Sequence, residues 1–509
     1  MSVHIHNTLT GREEDIVPVN SDGVLRMYVC GMTPKYHPHL GHARLFVAMD
    51  LIRRYLTFRG YALKFVQNFT DVDDKIIQRA ASEGRTADAT ANAYMKSYYE
   101  VMDRLSVRRA DAYPTVTGSM ERIVEFIAGL AETDHAYATD SGDVYFAVSS
   151  FPDYGKLSHR DVNSQLVAAR KELEPGKRDP RDFALWKRSR PGEPSWPSPW
   201  GRGRPGWHIE CSAMVRETLD DQIDIHGGGA DLIFPHHENE IAQSESLTGK
   251  VPFTQYWAHA GLVILGGGEK MAHSAGNFTT LAAVLEKYEP IEVRYYLLAT
   301  HYRSSLTFTV EGEDAADRRV RGIEDARGAL ARLRRALGDE PLDQDGALHE
   351  PAVEAFKGAM DADFNTPDAL SVIFDLAREI NTLRSGLAER QDIDSRRRTL
   401  VYLLDVLGLD LAATSLRHEV AVEPFVELLD KIRAQAAVVL AGPSVQAPGT
   451  LTREAPALAT VVDQLLDSRR KLRAARRFDL ADEVRARLIQ LGVTVEDKPG
   501  GVSTWRVER

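Results

Sequence analysis

Residues 25–30 (Leu-Arg-Met-Tyr-Val-Cys) follow the alternating pattern of a strand. From Gly41 to Phe58 the period changes. Leu45, Ala48, Met49, Ile52, Tyr55 and Leu56 recur at three and four, which predicts a helix with one apolar face. Gly60 stands where a helix commonly ends in a left-handed residue, and Ala62 to Thr70 reads as the next strand. Strand, loop, helix and strand in that order form the repeating unit of a parallel nucleotide-binding sheet. An α/β fold of Rossmann type is therefore expected.

The pattern shifts from about Tyr113 to Arg204. A helical stretch, Met120 to Leu130, is followed by a strand signal at Gly142–Phe146. Then comes what reads as a loop dense in Pro, Gly, Arg and Trp, including Trp186, Trp196 and Trp200. This predicts an insertion at about 113–204 within a sheet domain covering 1–310. The sheet resumes near Trp207. After Phe308 the amphipathic segments Pro351–Met360, Thr366–Ser385 and Ser395–Leu407 predict a helix bundle over 311–443. Ser444 to Pro456 has the composition of a linker. A small mixed domain is expected over 457–509, with two helical runs and a strand-like tail from Gly492 to Arg506.

Composition narrows the class. A chain of 509 residues is too long for one core. No apolar run approaches ~20 residues, so no membrane span is expected. Met1–Asn7 lacks a basic region followed by an apolar core, so it does not read as a secretory signal. Two cysteines make no disulfide framework and suit a reducing cytoplasm, and a monomer is expected. The net charge of −11 argues against indiscriminate nucleic-acid binding, although Asp467–Arg509 carries 11 Lys/Arg against 7 Asp/Glu.

Three segments carry chemistry. His39-Leu40-Gly41-His42 falls where a strand ends and a helix begins. Free N–H groups there attract anions, glycine admits a nucleotide close to the backbone, and two imidazoles can donate to phosphate or ribose. Gly266–Asn277 is glycine-rich and contains Lys270, which suits a loop closing over phosphates, but it lacks the P-loop order. His236 and Glu240 are four apart, so a helix turns both the same way. With Cys30 and Cys211 they make a Cys₂-His-Glu set suited to zinc, one ion per chain. A metalloprotease H-E-x-x-H reading of His237-Glu238 fails, because Ile241 stands where the second histidine is needed.

Taken together, these residues resemble the class I aminoacyl-tRNA synthetases, and among them the cysteinyl-tRNA synthetase family, over nearly the whole chain. Phe69–Ile76, Gly206–Met214, Asp224–Leu232 and Phe234–Gln243 match at family-specific level, His39–His42 is similar to the HIGH signature, and Lys270–Ser274 to the KMSKS loop. The resemblance implies that Cys30, Cys211, His236 and Glu240 bind zinc, and that Cys30, Gly31, Thr33, Thr70 and Trp207 form the cysteine pocket. It places His226, Gly228 and Asp231 near the adenosine of ATP, with His39, Gly41, His42, Lys270 and His273 completing the ATP site. His39, His42, Lys270 and His273 would be catalytic, with Mg²⁺ entering with ATP. The helix bundle would carry the cysteine tRNA, and Arg473, Arg476, Arg477, Trp505 and Arg506 would contact it. One departure stands out: the loop reads Lys-Met-Ala-His-Ser, so His273 replaces a lysine. Lys270 and His273 are expected to share the phosphate work.

The implied chemistry is coherent. An apolar pocket separates near-isosteric side chains by only ~10–200-fold. A thiol can ionise and bind zinc as a soft thiolate, while a hydroxyl cannot compete. Zinc would then be the substrate sensor, and no editing domain is required. Two other readings are distinct in class. One is a cysteine ligase with an amino-sugar acceptor, sharing Gly31–Pro34 and His39–His42; it should lack Glu240 and a basic tail, and this chain has both. The other is a non-catalytic paralogue, suggested by the altered signature loop.

Overall fold

The computed structural model describes residues 2–160, 176–266, 280–311, 319–342, 346–386 and 389–411, together with parts of 462–507. Residues up to Leu411 form one compact unit and those beyond it a second.

The first unit opens with a hairpin, β1 (His4–Asn7) and β2 (Arg12–Asp15). β3 (Val24–Met32) follows, buried along most of its length because it lies inside a sheet covered on both faces. Helix α1 (Leu40–Phe58) and strand β4 (Ala62–Phe69) complete the expected unit. Two later strands, β9 (Ile223–Gly229) and β10 (Thr254–Ala260), join it. The order β10-β9-β3-β4 is parallel throughout. From β3 the chain leaves towards β4 on one side, while β9 lies on the other. Such a reversal opens a crevice at the carboxyl ends of the strands. The ladder from β3 to β9 ends at Val29, and the pairing with β4 shifts register between Val29 and Met32. Cys30 and Gly31 thus sit beyond the end of the β9 ladder and within the irregularity of the β4 ladder. Gly31 is required there, since a Cβ would lie 1.6 Å from the Asn68 carbonyl oxygen.

Between β4 and β9 come helices α2 (Asp74–Glu83), α3 (Ala87–Arg104) and α4 (Met120–Glu132). An antiparallel sheet follows: β5 (Ala136–Ala138), β6 (Val144–Phe146), β7 (Phe183–Arg188) and β8 (Gly203–Pro205). The expected loop holds for Trp196 and Trp200, which lie in the connection between β7 and β8, but not for Trp186. Trp186 lies in β7, fully buried, because its partners on β6 and β8 come from distant sequence. Beyond β10, β11 (Val263–Leu265) pairs in parallel with β12 (Leu306–Phe308).

The helical part contains Ile323–Leu337, Glu350–Asp361, Thr366–Ser385 and Arg390–Val406. Buried polar groups fasten it to the sheet. Asp50 on α1 accepts from Arg54 at 2.8 Å and Arg294 at 2.6 Å, and Arg294 also donates to the Leu105 and Leu407 carbonyls at 2.9 Å each. Asp363, at φ 54°, accepts from the His6 amide at 2.9 Å and from the Tyr302 hydroxyl at 2.8 Å. Helix Phe478–Gln490 and the antiparallel strands Val493–Lys498 and Val502–Val507 belong to the second unit. Among the described residues no helix is long and apolar enough to cross a membrane. The expected linker at 444–456 lies outside the described residues.

Candidate active site and metal centre

At the end of β3, four side chains from three parts of the chain converge. Cys30 closes the strand. Cys211 comes from the helix Trp207–Thr218, and Glu240 from the first turn of the helix Glu238–Thr248. His236 belongs to a wide turn, Ile233–His237, that runs into the latter helix and keeps His236 and Glu240 on one side. The sulfurs of Cys30 and Cys211 are 3.6 Å apart, Cys30 Sγ is 3.5 Å from Glu240 Oε1, and His236 Nε2 is 3.0 Å from the same oxygen. All four are buried, and their donor atoms lie within 4.8 Å of one another, a set able to hold a metal ion.

The electrostatics suit a cation. Burial pushes the Cys30 thiol up, while the hydrogen bond from Cys30 brings Cys211 down to about 6 despite its burial. Burial alone would raise Glu240, but His226 and His236 outweigh it and hold the carboxyl at about 2. Burial alone would depress His236, yet Glu240 and Cys211 raise it to about 10.

The other end of the cleft is built on α1. His39 is the N-cap, and its Nδ1 accepts from the Gly41 amide at 3.1 Å. His42, three residues on, accepts from the His39 amide through Nδ1 at 3.2 Å. Two imidazoles thus form a reciprocal capping box. A nitrogen that accepts carries no proton, so Nε2 of each ring carries the hydrogen and can donate. Burial, then His39 and Lys35, holds His42 well below the usual imidazole value, so it stays neutral. Gly41 has a local role too: a Cβ there would lie 2.8 Å from His39 Cε1.

Both ends open on one cleft of about 900 Å³, whose walls include Cys30, Thr33, His42, Trp207, Asp231 and Gly261. Gly31, His39 and Gly41 also face it. Cys211, His236 and Glu240 lie behind Cys30. Trp207 stacks on His236, with ring centroids 4.3 Å apart, and carries that surface to the cleft.

Three expected residues are placed differently. His226 is fully buried, stacked on Trp257 with centroids 4.6 Å apart, and its Nε2 meets Glu240 Oε2 at 2.9 Å. It braces the metal set rather than reaching a nucleotide. Gly228 is buried beside His237, while Gly229 and Asp231 reach the cleft. Thr70 is buried and bonds the Glu210 carboxyl, which burial and then Cys211 push well above the carboxylate range. Lys270, His273, Arg476 and Arg477 lie outside the described residues. Arg473 is exposed, and Trp505 and Arg506 fall on the last strand.

Sequence reasoning passed over His208, Lys35 and Lys75. His208 Nδ1 is 2.9 Å from His236 Nδ1, which leaves His236 Nε2 facing the cluster. Its position beside Trp207 in the Gly206–Cys211 motif was the available signal. Lys35 and Lys75 line the cleft, Lys35 near His42. Lys75 falls within Phe69–Ile76 and Lys35 directly after Gly31–Pro34, but neither belongs to a metal-ligand or signature pattern.

Comparison with known proteins places this geometry. Residues 16–317 match the catalytic-domain family of class I (C) tRNA synthetases. A Mycobacterium tuberculosis methionyl-tRNA synthetase in complex with methionyl-adenylate superposes with a TM-score of 0.53 at 19% identity, over 86% of this chain and 99% of that one. The parallel sheet and its cleft are thus those of a class I aminoacyl-tRNA synthetase.

Residues 355–412 match the DALR domain, and 455–506 match the cysteinyl-tRNA ligase anticodon binding domain. The cysteine–tRNA ligase of Alkalilimnicola ehrlichii is 45% identical over 510 residues, 99% of this chain and 100% of that one. That of Dehalococcoides mccartyi strain BAV1 is 42% identical over 506 residues, with the same coverage. The chain belongs to the cysteine–tRNA ligase family.

Proposed function

We propose that this chain activates L-cysteine with Mg-ATP to cysteinyl-adenylate, releasing pyrophosphate, and passes the cysteinyl group to the terminal adenosine of the cysteine tRNA. The observation that carries the reading is the single cleft with a thiol-rich metal set at one end and an imidazole-capped helix start at the other.

Zinc fits the metal set. Bonds of about 2.3 Å to sulfur and 2.0–2.1 Å to nitrogen or oxygen in a tetrahedron separate two sulfurs by about 3.8 Å and an N/O pair by about 3.4 Å. The 3.6 Å and 3.0 Å separations come within a few tenths of these values. When bound, zinc supplies a soft acceptor that favours a thiol over a hydroxyl.

The chain's own residues account for the rest of the chemistry. Trp207 and Thr33 bound the space beside Cys30, where a small amino acid would lie. Asp231 and the Ala260–Val263 segment bound the side assigned to adenosine, a carboxylate being suited to ribose hydroxyls. As the cysteine carboxylate attacks the α-phosphorus, charge develops on the departing pyrophosphate. The Nε2–H groups of His39 and His42 and the α1 N-terminus are preorganised to meet it. Lys270 and His273 are assigned to the same anion from the signature loop. The Lys/Arg excess of the C-terminal segment, together with Trp505 and Arg506, is assigned to tRNA.

The test is transfer of labelled cysteine to purified tRNA with Mg-ATP, beside pyrophosphate exchange without tRNA. Charging of the cysteine tRNA is expected. Exchange without charging would favour the amino-sugar acceptor, a reading that Glu240 and the matched C-terminal domain both disfavour.

A further inference from the structure

The cleft holds a charge cluster apart from the metal set and the histidine pair. Lys35 lies in the loop between β3 and α1, and Lys75 in the first turn of α2, and both face the cavity. Their ammonium groups are close enough to interact directly. Neither has a carboxylate within ion-pairing distance among the described residues. The acids around them are engaged. Asp73 caps α2 by accepting from the Lys75 amide at 2.8 Å, Asp74 is held by Arg204 and Lys187, and Glu83 pairs with Arg79. Asp71 accepts from the Thr117 amide at 3.0 Å. Arg79, one turn beyond Lys75, stacks over Tyr36 at 4.6 Å and faces the same cavity.

Such a cluster is unfavourable by itself. Like charges repel more strongly as water is excluded, and Lys35 is half-buried. Lys75 adds a cation to the first turn of a helix, where the macrodipole disfavours it. An anion between the two ammoniums removes both penalties. Lys35 also lies close enough to His42 to depress its proton affinity, so it stands beside the donors at the α1 N-terminus. The glycine-rich segment 266–277 contributes only one lysine, Lys270. A polyphosphate therefore needs cations from elsewhere.

We propose that Lys35 and Lys75 form a phosphate-binding pair that takes the pyrophosphate portion of ATP in this cleft, with Lys35 on the side of His42. This rests on the ATP-dependent reading above and adds the residues that meet the leaving group. Arg79 keeps Lys75 company on the same helix face and extends the positive surface towards solvent.

The experiment is titration of the full-length, zinc-loaded chain with inorganic pyrophosphate and Mg²⁺, comparing the unaltered protein with Lys35→Met, Lys75→Met and Lys35→Arg. Affinity should fall about tenfold or more in each Met variant and largely return in Lys35→Arg, a smaller effect than the ~10²–10³ of a buried donor because Lys75 is exposed. Zinc content should stay the same in all four proteins. Equal pyrophosphate affinity in the unaltered protein and both Met variants would overturn the assignment. So would normal affinity and exchange combined with slow transfer to tRNA, which would give the pair to the acceptor-strand backbone. Pyrophosphate exchange by the unaltered protein, run in parallel, tests the ATP-dependent reading separately.

Discussion

The two ends of the cleft use the same side chain for opposite purposes. At the metal end, His236 turns Nε2 towards Glu240 and Nδ1 towards His208, and the surrounding groups are two thiols and a carboxylate. That end attracts a cation. At the α1 end, His39 and His42 spend Nδ1 on backbone amides and so carry the ring hydrogen on Nε2, in a cleft also lined by two lysines and an arginine. That end attracts an anion. The imidazole does not decide which; its second hydrogen bond and its neighbours do. A substrate pair with a soft thiol at one end and a polyphosphate at the other is laid out along this polarity.

The largest expected effect comes from removing the metal end. Cys211→Ala should abolish stoichiometric zinc and lower cysteine-dependent exchange by about 10³ or more, since a structural zinc site contributes roughly 10–16 kcal/mol of binding. Metal analysis with exchange kinetics checks this, and retained zinc at unchanged activity would break the contrast. At the opposite end, His42→Ala should lower the exchange rate by about 10²–10³, the usual loss for one preorganised donor, with zinc content and the KM for cysteine unchanged.

A smaller effect should follow from the groups behind the ligands. His208→Phe should weaken zinc by about 10–100-fold, because nothing then fixes the His236 tautomer. Competition with a chelator reads that directly, and unchanged affinity would make His208 a packing residue only. The smallest effect concerns pH. His42 is pushed well below its ordinary value, first by burial and then by His39 and Lys35. The folded state therefore refuses a proton that the unfolded chain accepts near pH ~6.5. The stability tied to this group is complete above that pH. It is lost as pH falls below it, by at most ~1.4 kcal/mol per unit. Denaturant unfolding of His42→Gln should show a shallower loss between pH 6.5 and 5.

Much of this was legible beforehand, for identifiable reasons. The β3–α1–β4 unit is local, and its periodicity matches the observed bounds within a residue or two. The four residues of the buried Cys/His/Glu set stand out in the sequence because cysteines are scarce and His236 and Glu240 have helical spacing. What escaped was set by contacts between distant segments. Trp186 reads as loop until β6 and β8 flank it. His226 reads as a nucleotide residue until β9 alternation turns it inward onto Glu240. The imidazole capping box was hidden differently: histidine is an uncommon N-cap, and only the backbone geometry shows Nδ1 accepting. The Arg294–Asp50 link joins residues 244 positions apart and left no local trace.

The most direct test of the polarised cleft is pyrophosphate exchange with cysteine and with serine, on zinc-loaded and zinc-stripped protein. Rapid exchange with cysteine only is expected, lost on stripping and restored by zinc. Exchange with serine at a rate close to that with cysteine, or cysteine-dependent exchange that survives stripping, would contradict it.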